Sequence, residues 1–225
     1  MPVPLVQPLF DGPLDIVGDI HGELGALQVM LFRLGYDGNG EHPEGRRLVF
    51  VGDLVDRGPD SRGCVQLVQL LVESGHAQMV LGNHELNLMR GSKKHGNHWF
   101  YGETEHLCKQ GDAKHPVLQP GTPSFQTLLH SKEAAQDMLT FFRKQPLALE
   151  RSDLRVVHAM WHDASVERLR AFEGDAGDAL QHFRDEIAKE IEADREREAA
   201  EGRPGPSEED KAHLARVWPP CVFLS

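Results

Sequence analysis

Cysteine is scarce. Cys64, Cys108 and Cys221 are the only three in 225 residues, they lie far apart, and no C-x-x-C pair occurs. A disulfide framework is therefore not expected, and the thiols read as reduced and mostly structural, as in a cytoplasmic protein. Basic charge is also short: 24 Lys and Arg stand against 35 Asp and Glu, a net charge of −11. A general nucleic-acid binder needs a basic surface to neutralise phosphates, so that class is disfavoured. A local basic pocket remains compatible, because bound divalent ions offset the carboxylates that hold them. Long apolar runs are missing too, none approaching the roughly 20 residues of a membrane span. No Lys or Arg precedes Arg33, and prolines are scattered through the first residues, so the charged region of a signal peptide is not seen. The length suits one α/β domain with a substantial core, read here as a single domain over residues 1–225.

What is present is a series of four short segments in order: Gly18-Asp19-Ile20-His21-Gly22, Gly52-Asp53-Leu54-Val55-Asp56-Arg57-Gly58, Gly82-Asn83-His84-Glu85 and Val156-Val157-His158-Ala159. Each follows an apolar run that reads as a buried strand. They supply Asp, His, Asp, Asn and His, hard to borderline ligands that suit a pair of divalent cations. Open α/β sheets collect their ligand sites at strand ends, so the arrangement points to two-metal phosphoester chemistry.

Between the segments the pattern is βαβ. Leu14 to Gly18 reads as a strand, Glu23 to Leu34 as a helix stopped by Gly35, and Leu48 to Val51 as the next strand, which puts Asp19 and Asp53 side by side. A helix capped by Asp60 or Ser61 follows, apolar nearly all round and hence largely buried, closed by Gly75. Ala77 to Leu81 returns as a third strand. Residues 91–122 read as an irregular insertion, too long for a neutral connector. Its run Trp99-Phe100-Tyr101 is expected to face the substrate rather than the core, since stacking would suit a nucleoside. Ser131 to Gln145 reads as an amphipathic helix capped by Ser131, Leu147–Leu149 and Leu154–Val157 as a hairpin, and residues 163–215 as a charged helical segment with a solvated face.

The side-chain chemistry gives each ligand a part. Asp19 and His21 alternate along a loop and converge as one ligand pair. Asp53 is the bridging candidate, because a two-oxygen anion can hold cations about 3.5–4 Å apart. Arg57 has the planar fork for a phosphate, and Asn83 offers a neutral amide oxygen. No role is assigned to His162, and His95, His98, His106 and His115 read as solvent-facing.

These segments resemble those of the calcineurin-like metallophosphoesterases, and Val55-Asp56-Arg57-Gly58 looks like the phosphoprotein-phosphatase branch. That branch includes bacterial serine/threonine phosphatases, diadenosine tetraphosphate hydrolases and the phosphatase domain of bacterial polynucleotide kinase-phosphatases. The resemblance implies an α/β sandwich of two mixed β-sheets flanked by helices. It also implies hydrolysis of a phosphomonoester or phosphoanhydride by direct attack of a metal-bound hydroxide. The metal ligands would be Asp19, His21, Asp53, Asn83 and His158, the catalytic residues His84, Asp56 and Arg57, and the substrate contacts Arg57 and Asn83. In the family, the histidine matching His84 protonates the leaving group and is oriented by the aspartate matching Asp56. The cofactors would be two divalent ions, manganese first, with iron, zinc, nickel or cobalt as alternatives. The substrate would be a phosphorylated small molecule, a dinucleotide or a phosphoprotein. A metal-binding scaffold with weakened catalysis and a nucleic-acid end-processing phosphatase are the competing readings. One departure stands out: the family's later Gly-His has no counterpart after His158, and His213 follows Ala212 in a charged stretch. The apolar Pro219 to Leu224 looks like the strand that precedes such a Gly-His, so the second metal site is expected to lack one ligand and the fold its final strand.

Overall fold

The computed structural model describes residues 3–94, 96–103 and 126–200, and the architecture is two three-stranded sheets with helices packed around them. In chain order the elements are β1 (Val6–Pro8), β2 (Leu14–Val17), α1 (Leu24–Leu34), β3 (Arg47–Phe50), α2 (Ser61–Glu73), β4 (Ala77–Met79) and α3 (Asn83–Met89). They continue with a 3₁₀ turn (His98–Tyr101), α4 (Lys132–Arg143), β5 (Ala148–Arg151), β6 (Leu154–Val157), α5 (Asp163–Ala171) and α6 (Ala176–Ala200).

One sheet has the order β2-β3-β4 and is parallel throughout. Its central strand, Leu48-Val49-Phe50, is fully buried, which is why it reads as an unbroken apolar run. The other sheet, β1-β5-β6, pairs β1 parallel to β5 and β5 antiparallel to β6. Leu9, Val49, Val80, Leu149 and Val156 pack between the two sheets, while the larger cluster joins β2, β3 and β4 to the helices. Strand β1 carries no sequence signal, because its three residues end in Pro8 and only its pairing with Ala148 to Glu150 makes it a strand.

Local chemistry sets the helix ends. Gly35 takes φ 98° at the end of α1, Asp60 accepts from the Gly63 N–H at the start of α2, and the Ser131 hydroxyl accepts from the Ala134 N–H at the start of α4. Two expectations need correction. Helix α2 is not buried all round in the fold, since Leu70 is 56% exposed while Cys64, Val65, Val68 and Leu71 are buried. The charged helix α6 is anchored at its start, where Ala176, Ala179, Leu180 and Phe183 are buried and Arg143 of α4 bonds both Asp175 oxygens at 2.8 Å. Cys64 is a buried thiol whose pKa burial pushes up to about 12, so it is structural and unreactive. Cys108, Cys221, His213 and the Pro219–Leu224 stretch lie outside the described residues. No described helix is long and apolar enough to cross a membrane.

Two loops at the ends of β2 and β3 close on each other. The Ile20 and His21 N–H groups donate to the Asp53 carbonyl, Gly22 N–H to Leu54 and Gly58 N–H to His21, all within 3.0 Å. Gly58 is obligatory in that closure, because a Cβ there would stand 2.2 Å from the His21 carbonyl oxygen. Gly25, on the exposed face of α1, has nothing within 4 Å of a built Cβ. Thermal melts should separate the two: Gly25→Ala is expected to gain about 0.5–1 kcal/mol, roughly 1–4 °C. Gly58→Ala should lose about 1–3 kcal/mol through overpacking. A neutral Gly58→Ala would show that the loops are not held as described.

Candidate metal centre

The site stands at the carboxyl ends of β2, β3 and β4, the edge where parallel strands present their loops, with β6 of the second sheet adding a fourth loop. Asp19 and His21 follow β2, Asp53, Asp56 and Arg57 follow β3, Asn83 and His84 open α3 after β4, and His158 follows β6. The structure brings all eight together.

Asp53 is at the centre. Its side chain is almost completely buried, and its two oxygens face different partners. Oδ2 lies 3.9 Å from His21 Nε2 and 3.9 Å from His84 Nε2, whereas Oδ1 lies 3.6 Å from His158 Nε2. Asp19 Oδ2 is 3.7 Å from His21 Nε2. Two overlapping donor groups result, His21-Asp53-His84 and Asp19-Asp53-His158, with the donor atoms of each within 4.8 Å of one another. The division differs from the expected pairing in two respects: Asp19 and His21, expected as one pair, fall in different donor groups, and His84 joins a donor group as well as facing Asp56.

The histidine tautomers follow from their neighbours. His21 Nδ1 lies 3.0 Å from the Val55 carbonyl and His158 Nδ1 2.7 Å from the Val51 carbonyl. A carbonyl only accepts, so Nδ1 carries the proton and Nε2 presents a lone pair to the site, as metal-ligating histidines do. His158 Nε2 then faces the Asn83 amide oxygen at 3.0 Å. Two acceptors so close repel unless a proton or a cation lies between them. Donor atoms each about 2.1 Å from one ion stand roughly 3–4 Å apart, the spacing seen here, so these residues fit divalent cations.

Glu85 had no role in the sequence reading, yet it holds the frame. Its fully buried carboxylate accepts from the backbone N–H of Asp53 and Gly82 at Oε2 and of Leu54 at Oε1, at 2.8–2.9 Å. Burial first, and the Asp53 charge next, push its pKa up to about 7. The glutamate at the third position of a helix that opens after Gly82 is half of a capping box, a signal readable in Gly82-Asn83-His84-Glu85. Gly82 must be glycine here, since a Cβ would lie 2.2 Å from Asp53 Oδ1.

The backbone is strained where the side chains matter. Among the described residues the non-glycine positions with positive φ are His21, Asp53, Asp56 and Arg57, at 48° to 72°. Such conformations cost on the order of 1–3 kcal/mol each and persist only where surroundings over-determine them.

Asp56, buried like Asp53, contacts His84 Nδ1 with Oδ2 at 2.6 Å, accepts the Trp99 indole N–H at Oδ1 at 2.7 Å, and donates its backbone N–H to the Ser61 hydroxyl at 2.9 Å. Burial works against charge on the His84 imidazole, but the Asp56 hydrogen bond and the nearby Asp53 and Glu85 carboxylates outweigh it and raise its pKa. Arg57 is exposed at the mouth, its guanidinium 3.5 Å from His84 Nε2. The expectation that Trp99, Phe100 and Tyr101 face the substrate is overturned for the first two: Trp99 is completely buried and Phe100 nearly so. They turn inward because the 3₁₀ turn folds them onto the core, with Leu129 N–H bonded to the Trp99 carbonyl at 2.8 Å. His162, the residue before α5, contacts the Ser165 hydroxyl, and His98 faces Glu103; neither belongs to the two donor groups. His95, His106 and His115 lie outside the described residues.

The calcineurin-like phosphoesterase family model matches residues 12–195. The asymmetrical bis(5'-nucleosyl)-tetraphosphatase PrpE of Oceanobacillus iheyensis is 41% identical over 117 residues, covering 47% of this chain and 47% of its own. The corresponding protein of Geobacillus sp. is 48% identical over 151 residues, covering 65% of this chain and 56% of its own. The chain thus spans about half the length of the curated relatives it matches. A solved serine/threonine phosphatase from Saccharomyces cerevisiae aligns with a TM-score of 0.49 and 19% identity over 76% of this chain and 47% of its own. With the family model running from the first residues before β2 to the body of α6, the chain belongs to the calcineurin-like phosphoesterases.

Proposed function

We propose that this chain is a phosphohydrolase that cleaves the phosphoanhydride bond of dinucleoside polyphosphates, using two divalent cations held by Asp19, His21, Asp53, Asn83 and His158. The observation that carries the reading is the buried Asp53 carboxylate, which offers one oxygen to His21 and the other to His158. The substrate class is supported by the relatives named as bis(5'-nucleosyl)-tetraphosphatases. Manganese suits the donor set, because carboxylate and amide oxygens mixed with imidazole favour a metal of intermediate hardness. The buried thiol of Cys64 agrees with a reducing, cytoplasmic setting.

When bound, the cations supply Lewis-acid polarisation of the phosphoryl group and acidify a water nucleophile. The residues of the chain do the remaining work. Arg57, exposed at the mouth, can grip non-bridging phosphate oxygens with its planar fork and offset their charge. Asn83 turns its amide oxygen inward towards His158. His84 keeps Nδ1 on Asp56 and points Nε2 into the site, where a proton on that atom can pass to the leaving oxygen. A leaving nucleotide phosphate is less basic than an alkoxide, so the demand on His84 is smaller for an anhydride than for an alkyl ester. No covalent nucleophile is needed.

A substrate panel tests the reading: with Mn²⁺ present, diadenosine tetraphosphate should be hydrolysed faster than phosphopeptides or nucleic-acid 3′- and 5′-phosphates. Faster phosphopeptide turnover would move the substrate class to proteins and leave the metal chemistry intact. Chelation should abolish turnover and added Mn²⁺ should restore it. Asp53→Asn should fall by roughly 10³-fold or more, because several kcal/mol of transition-state stabilisation are lost at tenfold per 1.36 kcal/mol. Undiminished turnover after exhaustive chelation, or in Asp53→Asn, refutes the two-metal reading.

Leaving-group chemistry tests His84 separately. His84→Ala should lose about 10²–10⁴-fold on an alkyl phosphate and far less on p-nitrophenyl phosphate, with the number of bound metals unchanged. Loss of a metal in His84→Ala would instead make His84 a ligand, as its place beside His21 and Asp53 permits.

A further inference from the structure

The indole of Trp99 is completely buried, and its N–H donates to Oδ1 of Asp56, the oxygen that does not face His84. The chain runs Trp99 Nε1 to Asp56 at 2.7 Å and Asp56 to His84 Nδ1 at 2.6 Å, all within the core. We infer that Trp99 is a positioning residue for His84, acting through Asp56; the inference rests on the reading of His84 as proton donor. An indole N–H can only donate, so it commits Oδ1 to accepting and leaves Oδ2 as the atom that addresses His84. The carboxylate is thereby pinned at both oxygens, and the imidazole it holds is aimed with Nε2 towards Asp53 and Arg57. Orientation of a proton donor matters steeply, because a misplaced group loses its near-attack geometry.

The surroundings make Trp99 a fixed support. Its carbonyl accepts from Leu129 and Gly102, its ring meets Phe100 edge-on at 5.7 Å, and the Gln126 amide bonds the Gly96 carbonyl, so the turn is held from both sides. Asp56 is held independently through Ser61 and takes φ 72°, a left-handed conformation uncommon outside glycine. A tryptophan buried only for packing could satisfy its N–H on any nearby carbonyl. This one is spent on the carboxylate that holds His84 Nδ1.

The test replaces the indole N–H with sulfur, 3-benzothienylalanine at position 99, which keeps the ring shape and removes the donor, with Trp99→Phe as a second variant. The manganese-loaded protein should lose about tenfold or more in kcat on an alkyl phosphate, remain within about twofold on p-nitrophenyl phosphate, and keep KM and melting temperature. Added to His84→Ala, the isostere should cost nothing further. An independent readout is the ¹⁵N-labelled indole resonance of Trp99, which should shift upfield in Asp56→Asn as its acceptor loses charge. Equal losses on both substrates, no loss on either, or an indole resonance indifferent to Asp56→Asn would overturn the inference while His84→Ala remains selective. A His84→Ala variant without leaving-group selectivity would overturn the reading of His84, and the inference with it.

Discussion

The buried Glu85 carboxylate is the constraint on which the metal centre depends. It joins the end of β3 to the start of α3 by accepting three backbone N–H groups, from Gly82, Asp53 and Leu54. Those donors have no ladder partner where the strands end, and burying them unpaired would cost free energy comparable to lost hydrogen bonds. One carboxylate satisfies all three and sets the position of Asp53 at the same time. Burial first, and repulsion from the Asp53 carboxylate next, make Glu85 resist ionisation, so the centre gains from positive charge. Divalent cations on Asp53 would supply it.

Around that frame, strain and function coincide. The left-handed residues His21, Asp53, Asp56 and Arg57 all belong to the site, and the backbone N–H groups of His21, Asp53 and Asp56 are held by the Asp53 carbonyl, Glu85 and Ser61. The loops after β2 and β3 exchange backbone hydrogen bonds, which tie the two ligand-bearing segments to each other. Glycines at 58 and 82 permit the approach, because carbonyl and carboxylate oxygens fill the space a Cβ would need. The histidines are oriented from behind by the carbonyls of Val51 and Val55, groups supplied by the β3 loop. The strands thus provide ligands and also the backbone acceptors that turn ligands inward.

The segment after α3 plays a different part from the one its composition suggests. Three consecutive aromatics in a region rich in His, Gly and Lys read as a surface for bases, whereas Trp99 and Phe100 join the main core and Trp99 backs the Asp56-His84 pair. The 3₁₀ turn His98–Tyr101 therefore supports the site from within the fold. Helix α6 shows the same tendency: its charged pattern is solvent-facing over the later turns, yet its first turns are pinned by buried Leu180 and Phe183 and by Arg143.

The sequence by itself determined the parallel β2-β3-β4 unit, its two crossover helices and the loop positions of Asp19, His21, Asp53, Asn83, His84 and His158. Apolar runs ending in Gly-Asp or Gly-Asn are local signals, since a buried strand and the turn that stops it are both encoded by adjacent residues. The caps at Asp60 and Ser131 were legible for the same reason, and Glu85 was legible in principle as a capping glutamate. Only the tertiary structure decided that Val6 to Pro8 is a strand, that Trp99 reaches Asp56 across 43 residues of chain, and that Asp53 divides its oxygens between His21 and His158. Each of these depends on a contact between residues distant in sequence, and the free energy of such a contact comes from burial and pairing that no single segment contains.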